Sequence, residues 1–148
     1  MDGVQTDGVR LEDQLCFPLY ACAKALARQY RKPLEALGLT YTQYLVMTAL
    51  WEYGSMTEGA LGNKVRLDSG TLTPLLKRLE KQGYIERSRP ANNERRLLLR
   101  LTAAGDALRH KARAVPDAMK KKIDMPPAEL LQLKTLLEKA LSTLEVQP

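Results

Sequence analysis

A single histidine, His110, and only two cysteines leave little from which to build a metal centre or a disulfide framework. No metal and no cofactor are therefore expected, and Cys16 and Cys22 read as thiols rather than as halves of a structural bridge. No apolar run comes near the roughly 20 residues that cross a bilayer. The opening MDGVQTDGVR has neither the basic start nor the apolar stretch of an export signal. Repeats, low-complexity tracts and signs of a second domain are missing as well. The expectation is one domain over residues 1–148, working in the cytoplasm and away from membranes.

What the chain has in surplus is positive charge. Lys and Arg number 23 against 17 Asp and Glu, leaving +6. That balance favours a polyanionic partner, although acidic proteins attract the same surplus. A hydrophobic content of 45% with 27% charged residues is that of a folded protein with a real core.

Most of the chain has helical period. Leu11, Leu15, Leu19, Cys22 and Leu26 recur every three or four residues, which predicts a helix over 11–32 with Pro33 at its end or at the next start. Tyr41 to Tyr53 is a dense apolar block, read as a buried helix that Gly54 and Ser55 stop. Thr57 is placed to cap a short helix reaching Lys64, and Asp68 and Ser69 to cap a longer one ending at Gly83. The period then changes: Tyr84 to Arg87 and Arg96 to Leu101 read as two strands around the turn Arg89 to Asn93. Thr102 caps a following helix with Leu101, Ala104, Leu108, Val115 and Met119 at helical spacing. Pro126 and Pro127 interrupt it and open a last helix, striped by Leu130, Leu133, Leu137 and Leu144. The two outer stripes either pack on each other in one monomer or pair two subunits. Pairing buries both and suits a palindromic site, so dimerisation helices are expected over 11–32 and 102–146.

Residues 57–101 thus run short helix, turn, longer helix, hairpin, the order of a winged helix-turn-helix. The fold class expected is mainly α, a winged helix-turn-helix with long N- and C-terminal dimerisation helices. A helix fits the major groove and reaches base edges with its N-terminal residues. Here those are Asp68, Ser69, Gly70, Thr71 and Thr73, with Lys77 and Arg78 further along for phosphates. Leu72, Leu75, Leu76 and Leu79 form the opposite, inward face, and Pro74 is expected to disturb the first turns. Arg87, Arg89, Arg95 and Arg96 fall within ten positions on the hairpin, where a basic tip can enter a minor groove or remain a solvated loop.

The run LDSGTLTPLLKRLEKQGYIERSR, Leu67 to Arg89, resembles the recognition helix and first wing strand of MarR-type transcriptional regulators, and NERRLLLRLTAAG, Asn93 to Gly105, resembles their second wing strand and next helix. The family places an aspartate two residues before the wing arginine. Here Asn93 precedes Arg95, leaving Asp68 or Glu94 to brace the wing.

Cys16 lies two residues before Pro18, a residue suited to a helix's first turn, so helix is expected to begin near the thiol. The positive end of a helix favours a thiolate, which is the form that attacks peroxides, while Glu12 and Asp13 oppose it. An inert core cysteine is the plain alternative. The stretches LEDQLCFPLYACAKALARQY and LTYTQYLVMTALWE resemble the organic-hydroperoxide-sensing branch of the MarR family. That resemblance implies that Cys16 is the reactive cysteine, with Tyr20 and Tyr30 hydrogen-bonding its thiolate across a homodimer interface. Two-cysteine members of the branch carry a second cysteine near the C-terminus. None stands there here, which implies capture of the oxidised sulfur by a low-molecular-weight thiol. Cys22 reads as a small packing residue or as a bridge to another subunit.

The function expected is a repressor, not an enzyme. It holds a pseudo-palindromic double-stranded DNA operator until organic hydroperoxide, the inducer, oxidises Cys16. The alternatives are a MarR-type regulator released by a small aromatic ligand, a thiol peroxidase using Cys16, and a helical adaptor for acidic proteins.

Overall fold

Four side-chain oxygens decide where helices begin. In a computed structural model describing residues 9–92 and 95–146, Thr40, Thr57, Asp68 and Thr102 each accept a backbone N–H three residues ahead. They open α2 (Tyr41–Tyr53), α3 (Glu58–Val65), α4 (Ser69–Lys81) and α5 (Ala103–Ala112). Before them come a short 3-10 turn, Leu11–Asp13, and α1 (Cys16–Glu35); after them come α6 (Ala114–Lys122) and α7 (Pro127–Val146). Three short strands, β1 (Met56–Thr57), β2 (Ile85–Ser88) and β3 (Leu98–Leu101), form an antiparallel sheet in the order β1-β3-β2. The result is the expected mainly helical, winged architecture.

Differences from the sequence reading have local causes. Regular helix starts at Cys16 rather than Leu11, and it runs through Pro33 to Glu35. A proline inside a helix leaves the carbonyl four residues back without its donor. Here that carbonyl is Gln29, and the Lys122 ammonium donates to it at 3.3 Å, so the helix continues. The stretch after Thr102 splits at Arg113 into α5 and α6. Pro116 cannot donate to Ala112, and α5 ends there. Pro74, by contrast, does not break α4. β1 was not foreseen: its two residues pair as Met56↔Leu99 and Thr57↔Leu98, too short a run to show alternation. β2 and β3 also start one and two residues later than expected, in the register Ile85↔Leu101 to Ser88↔Leu98.

The core lies between these elements. Leu72, Leu75, Leu76 and Leu79 of α4 face Met47 and Leu50 of α2, Leu61 of α3, and Ile85 and Leu99 of the sheet, all buried. Leu34 at the end of α1 and Leu108, Val115 and Met119 beyond the wing close it from the other side. Gly105 is held hard against the wing's base: a Cβ there would sit 2.0 Å from the Tyr84 carbonyl oxygen. Its own carbonyl accepts from the Trp51 indole at 2.9 Å. Gly83, at φ +83°, turns the chain from α4 into β2. No helix among the described residues is long and apolar enough to cross a membrane.

Candidate nucleic-acid interface and thiol site

The exposed face of α4 begins with a cap. Asp68 Oδ1 accepts the Thr71 N–H at 2.7 Å, and that bond holds its carboxyl below the usual range. Asp68 is thus occupied with the helix start, while Ser69, Gly70 and Thr71 project into solvent, followed by Pro74, Lys77 and Arg78. Thr73 differs. It is half-buried and donates its hydroxyl to Glu58 Oε1 at 2.7 Å, tying α4 to α3. Its hydroxyl is engaged within the protein.

The hairpin divides its arginines in the same way. Arg87 lies largely covered between β2 and α4, where Glu80 receives both its guanidinium (3.3 Å) and its backbone N–H (3.3 Å). This pairing holds the Glu80 carboxyl down, chiefly through the side-chain hydrogen bond. Arg89, Arg95 and Arg96 are exposed. Arg95 and Arg96 join Asn63, Asp68 and Ser69 around an open groove of about 570 Å³ between α3, the tip of α4 and the wing. Asn93 and Glu94, to which a bracing role was open, lie outside the described residues. Asp68, the other residue left to brace the wing, caps α4. A Glu80–Arg87 pair fixes the wing's first strand. Glu58, Asn63 and Glu80 escaped the sequence reading, because a carboxylate or amide in a helix carries no signal of what it will face.

Cys16 is the first residue of α1, and it is exposed. Beside it Leu15, Phe17 and Leu19 are exposed, and on α7 so are Leu131, Leu133, Leu136, Leu137 and Leu144. Tyr20 lies one turn past the thiol, and its hydroxyl accepts from Lys24 at 3.2 Å. Tyr30 is fourteen residues from Cys16 on the same helix, an axial distance of about 21 Å. Within one chain it cannot reach the sulfur. Instead it packs on Tyr41 and Tyr44, with ring centroids 4.9 and 5.8 Å away. Burial, reinforced by these two neighbours, raises its phenol above the ordinary value, keeping it a proton donor at neutral pH. Tyr41 and Tyr44 were missed, having been absorbed into an apolar block. Cys22 is exposed too, about 9 Å along the axis from Cys16, and both thiols are free.

Known proteins resemble this arrangement closely. The MarR family profile matches residues 39–97. The organic hydroperoxide resistance transcriptional regulator of Bacillus subtilis (strain 168) is 43% identical over 138 residues, 93% of this chain and 94% of that protein. Reduced AbfR bound to DNA superposes with a TM-score of 0.73 at 38% identity, covering 91% of this chain and 94% of the other. Overoxidised AbfR bound to DNA gives 0.73, 38%, 91% and 95%. AbfR is a protein of Staphylococcus epidermidis.

Proposed function

The chain belongs to the MarR family of transcriptional regulators, and from that premise we propose that it is a dimeric DNA-binding repressor released by organic hydroperoxide acting on Cys16. The observation that carries the reading is the position of the thiol. Cys16 opens α1 on an exposed apolar face, in a chain that also presents the polar tip of α4 beside a basic wing. A second subunit covers that face through residues 11–32 and 102–146. It brings a Tyr30 to the thiol that the same chain cannot supply.

The chemistry balances without a cofactor. The Cys16 thiolate attacks the outer peroxide oxygen, a sulfur–oxygen bond forms, and the oxygen–oxygen bond breaks. The alkoxide leaves and takes a proton to become an alcohol, while sulfur is oxidised by two electrons to sulfenic acid. A low-molecular-weight thiol then condenses with it, forming a disulfide and releasing water. Either product disrupts the phenol contacts of Tyr20 and Tyr30, and the paired recognition helices lose their spacing on the pseudo-palindrome. A tenfold loss of affinity needs only about 1.4 kcal/mol. On the DNA side, Ser69, Gly70 and Thr71 read base edges and Lys77, Arg78, Arg89, Arg95 and Arg96 hold backbone. Asp68, Thr73, Pro74 and Arg87 shape the reader. A cytoplasmic location accords with action on DNA.

The test is a titration against duplex from the protein's own upstream region, with and without cumene hydroperoxide, followed by intact mass. Cys16→Ser should bind and fail to release; release at the wild-type dose would rule out the thiol. One observation favours ligand gating as a second reading. A pocket of about 300 Å³ between α2 and α5 is lined by Tyr44, Thr48, Trp51, Glu52, Arg109 and Arg113; two guanidinium groups against one carboxylate beside two aromatic rings make an aromatic anion the ligand class it fits. It predicts release that is indifferent to Cys16→Ser. Sustained thiol-dependent turnover of peroxide would instead favour a peroxidase.

A further inference from the structure

Gln43 is the one buried polar side chain among the described residues, 5% exposed. Such an amide must be hydrogen-bonded to be tolerated, and its bonds fix geometry that an apolar side chain would leave loose. Gln43 Oε1 accepts the Thr40 N–H at 3.0 Å, so its NH2 group faces the other way. There it donates to Gln82 Oε1 at 3.2 Å. That orients Gln82 in turn: its Nε2 donates to the Gly38 carbonyl at 2.9 Å. Gly38 N–H donates to Glu35 O at 3.1 Å.

The two ends of this chain of bonds matter. Glu35 is the last residue of α1, the helix that Cys16 begins about 30 Å away. Gln82 is the C-cap of α4, and its backbone N–H closes on Arg78 O. From the Thr40 N–H through both side-chain amides to the Gly38 carbonyl the bonds run one way and polarise one another, and the peptide of that carbonyl carries the Leu39 N–H, which donates to Leu34 O of α1 at 3.3 Å. The series joins the foot of the thiol-bearing helix to the foot of the DNA-reading helix, across 44 residues of sequence.

We infer that Gln43 and Gln82 form an amide relay that transmits displacement of α1 to the recognition helix. Both are positioning residues; neither touches DNA or the thiol. The inference rests on the reading that oxidation at Cys16 moves α1. Without the relay, the two helices respond independently: DNA is still bound, but oxidation no longer dislodges it.

The experiment compares wild type, Gln82→Met and Gln43→Leu, as full-length protein on duplex from its own upstream region. Each is measured reduced and after cumene hydroperoxide with glutathione. Intact mass certifies equal modification of Cys16. Gln82 is exposed, so Gln82→Met folds even if Gln43→Leu does not. The expected result is a reduced Kd within about threefold of wild type, with the oxidised-to-reduced Kd ratio collapsing toward one. Variants that release as the wild type does overturn the relay and leave the peroxide reading standing. So does equal weakening of both states, which marks a merely structural role. A wild type that never releases sinks the peroxide reading and the relay with it.

Discussion

Leucines on α4 and leucines on α7 follow the same helical period and meet opposite fates. Leu72, Leu75, Leu76 and Leu79 are each at most 6% exposed, whereas Leu133, Leu137 and Leu144 are at least 40% exposed. α4 finds α2, α3 and the sheet around it; α7 has no such enclosure within one chain. Leucine spacing therefore says that a face will be covered, not by whom. The α4 leucines of the reading unit are enclosed by the chain itself, with α1, α5 and α6 contributing to that core, and the α7 stripe is the face proposed to meet a second copy.

The sharpest way to break that contrast is to charge the outer stripe. Leu133→Glu with Leu137→Glu should sediment as a monomer with near-native helix content, and lose roughly 10²- to 10⁴-fold in operator affinity, the usual return of bivalency. Persistence as a dimer would show that α7 is not the pairing surface. Next in size, Leu76→Ala should cost about 2–5 kcal/mol in urea unfolding, the typical result of emptying a buried leucine site. That deficit should not change with protein concentration; if it does, the reading unit is not independent. Thr102→Val removes the oxygen that caps α5 against Gly105 N–H at 3.0 Å. It should cost about 1 kcal/mol, measured by thermal melting.

The smallest effect concerns pH. The Glu80 carboxyl sits below its ordinary value of 4.5 because of Arg87. A depressed carboxylate stabilises the fold fully above that ordinary value, and the contribution disappears as pH falls through the lower folded value. Glu80→Gln should therefore melt below wild type at neutral pH, with the gap closing under acid. A gap that stays constant with pH would assign the loss to packing instead.

How far the sequence could be read follows from the range of each interaction. Thr57, Asp68, Thr102 and the α4 leucines were legible because caps and amphipathic faces are decided within four residues. Cys16 could be picked out from Pro18 as a thiol near a helix start, but Tyr20 and Tyr30 were visible only through resemblance, since nothing in their spacing links a phenol 14 positions away to the thiol. Illegible altogether were the partners fixed at long range: Glu58 for Thr73, Lys122 for Gln29 and Gln82 for Gln43. The Thr40-x-x-Gln43 pattern did carry a local signal, a capping box, but the other end of that amide lies 39 residues off.

The close approach at Gly105 has a consequence for how such regulators can diverge. With only a hydrogen facing the backbone of Tyr84, the angle between the hairpin and the helix leaving it is set by contact, like a door against its stop. A single methyl added at this place must push the two apart, re-aiming every arginine on the hairpin at once. The side chains at the α4 tip can change without disturbing that contact, but the tilt of the hairpin is pinned where the smallest residue stands.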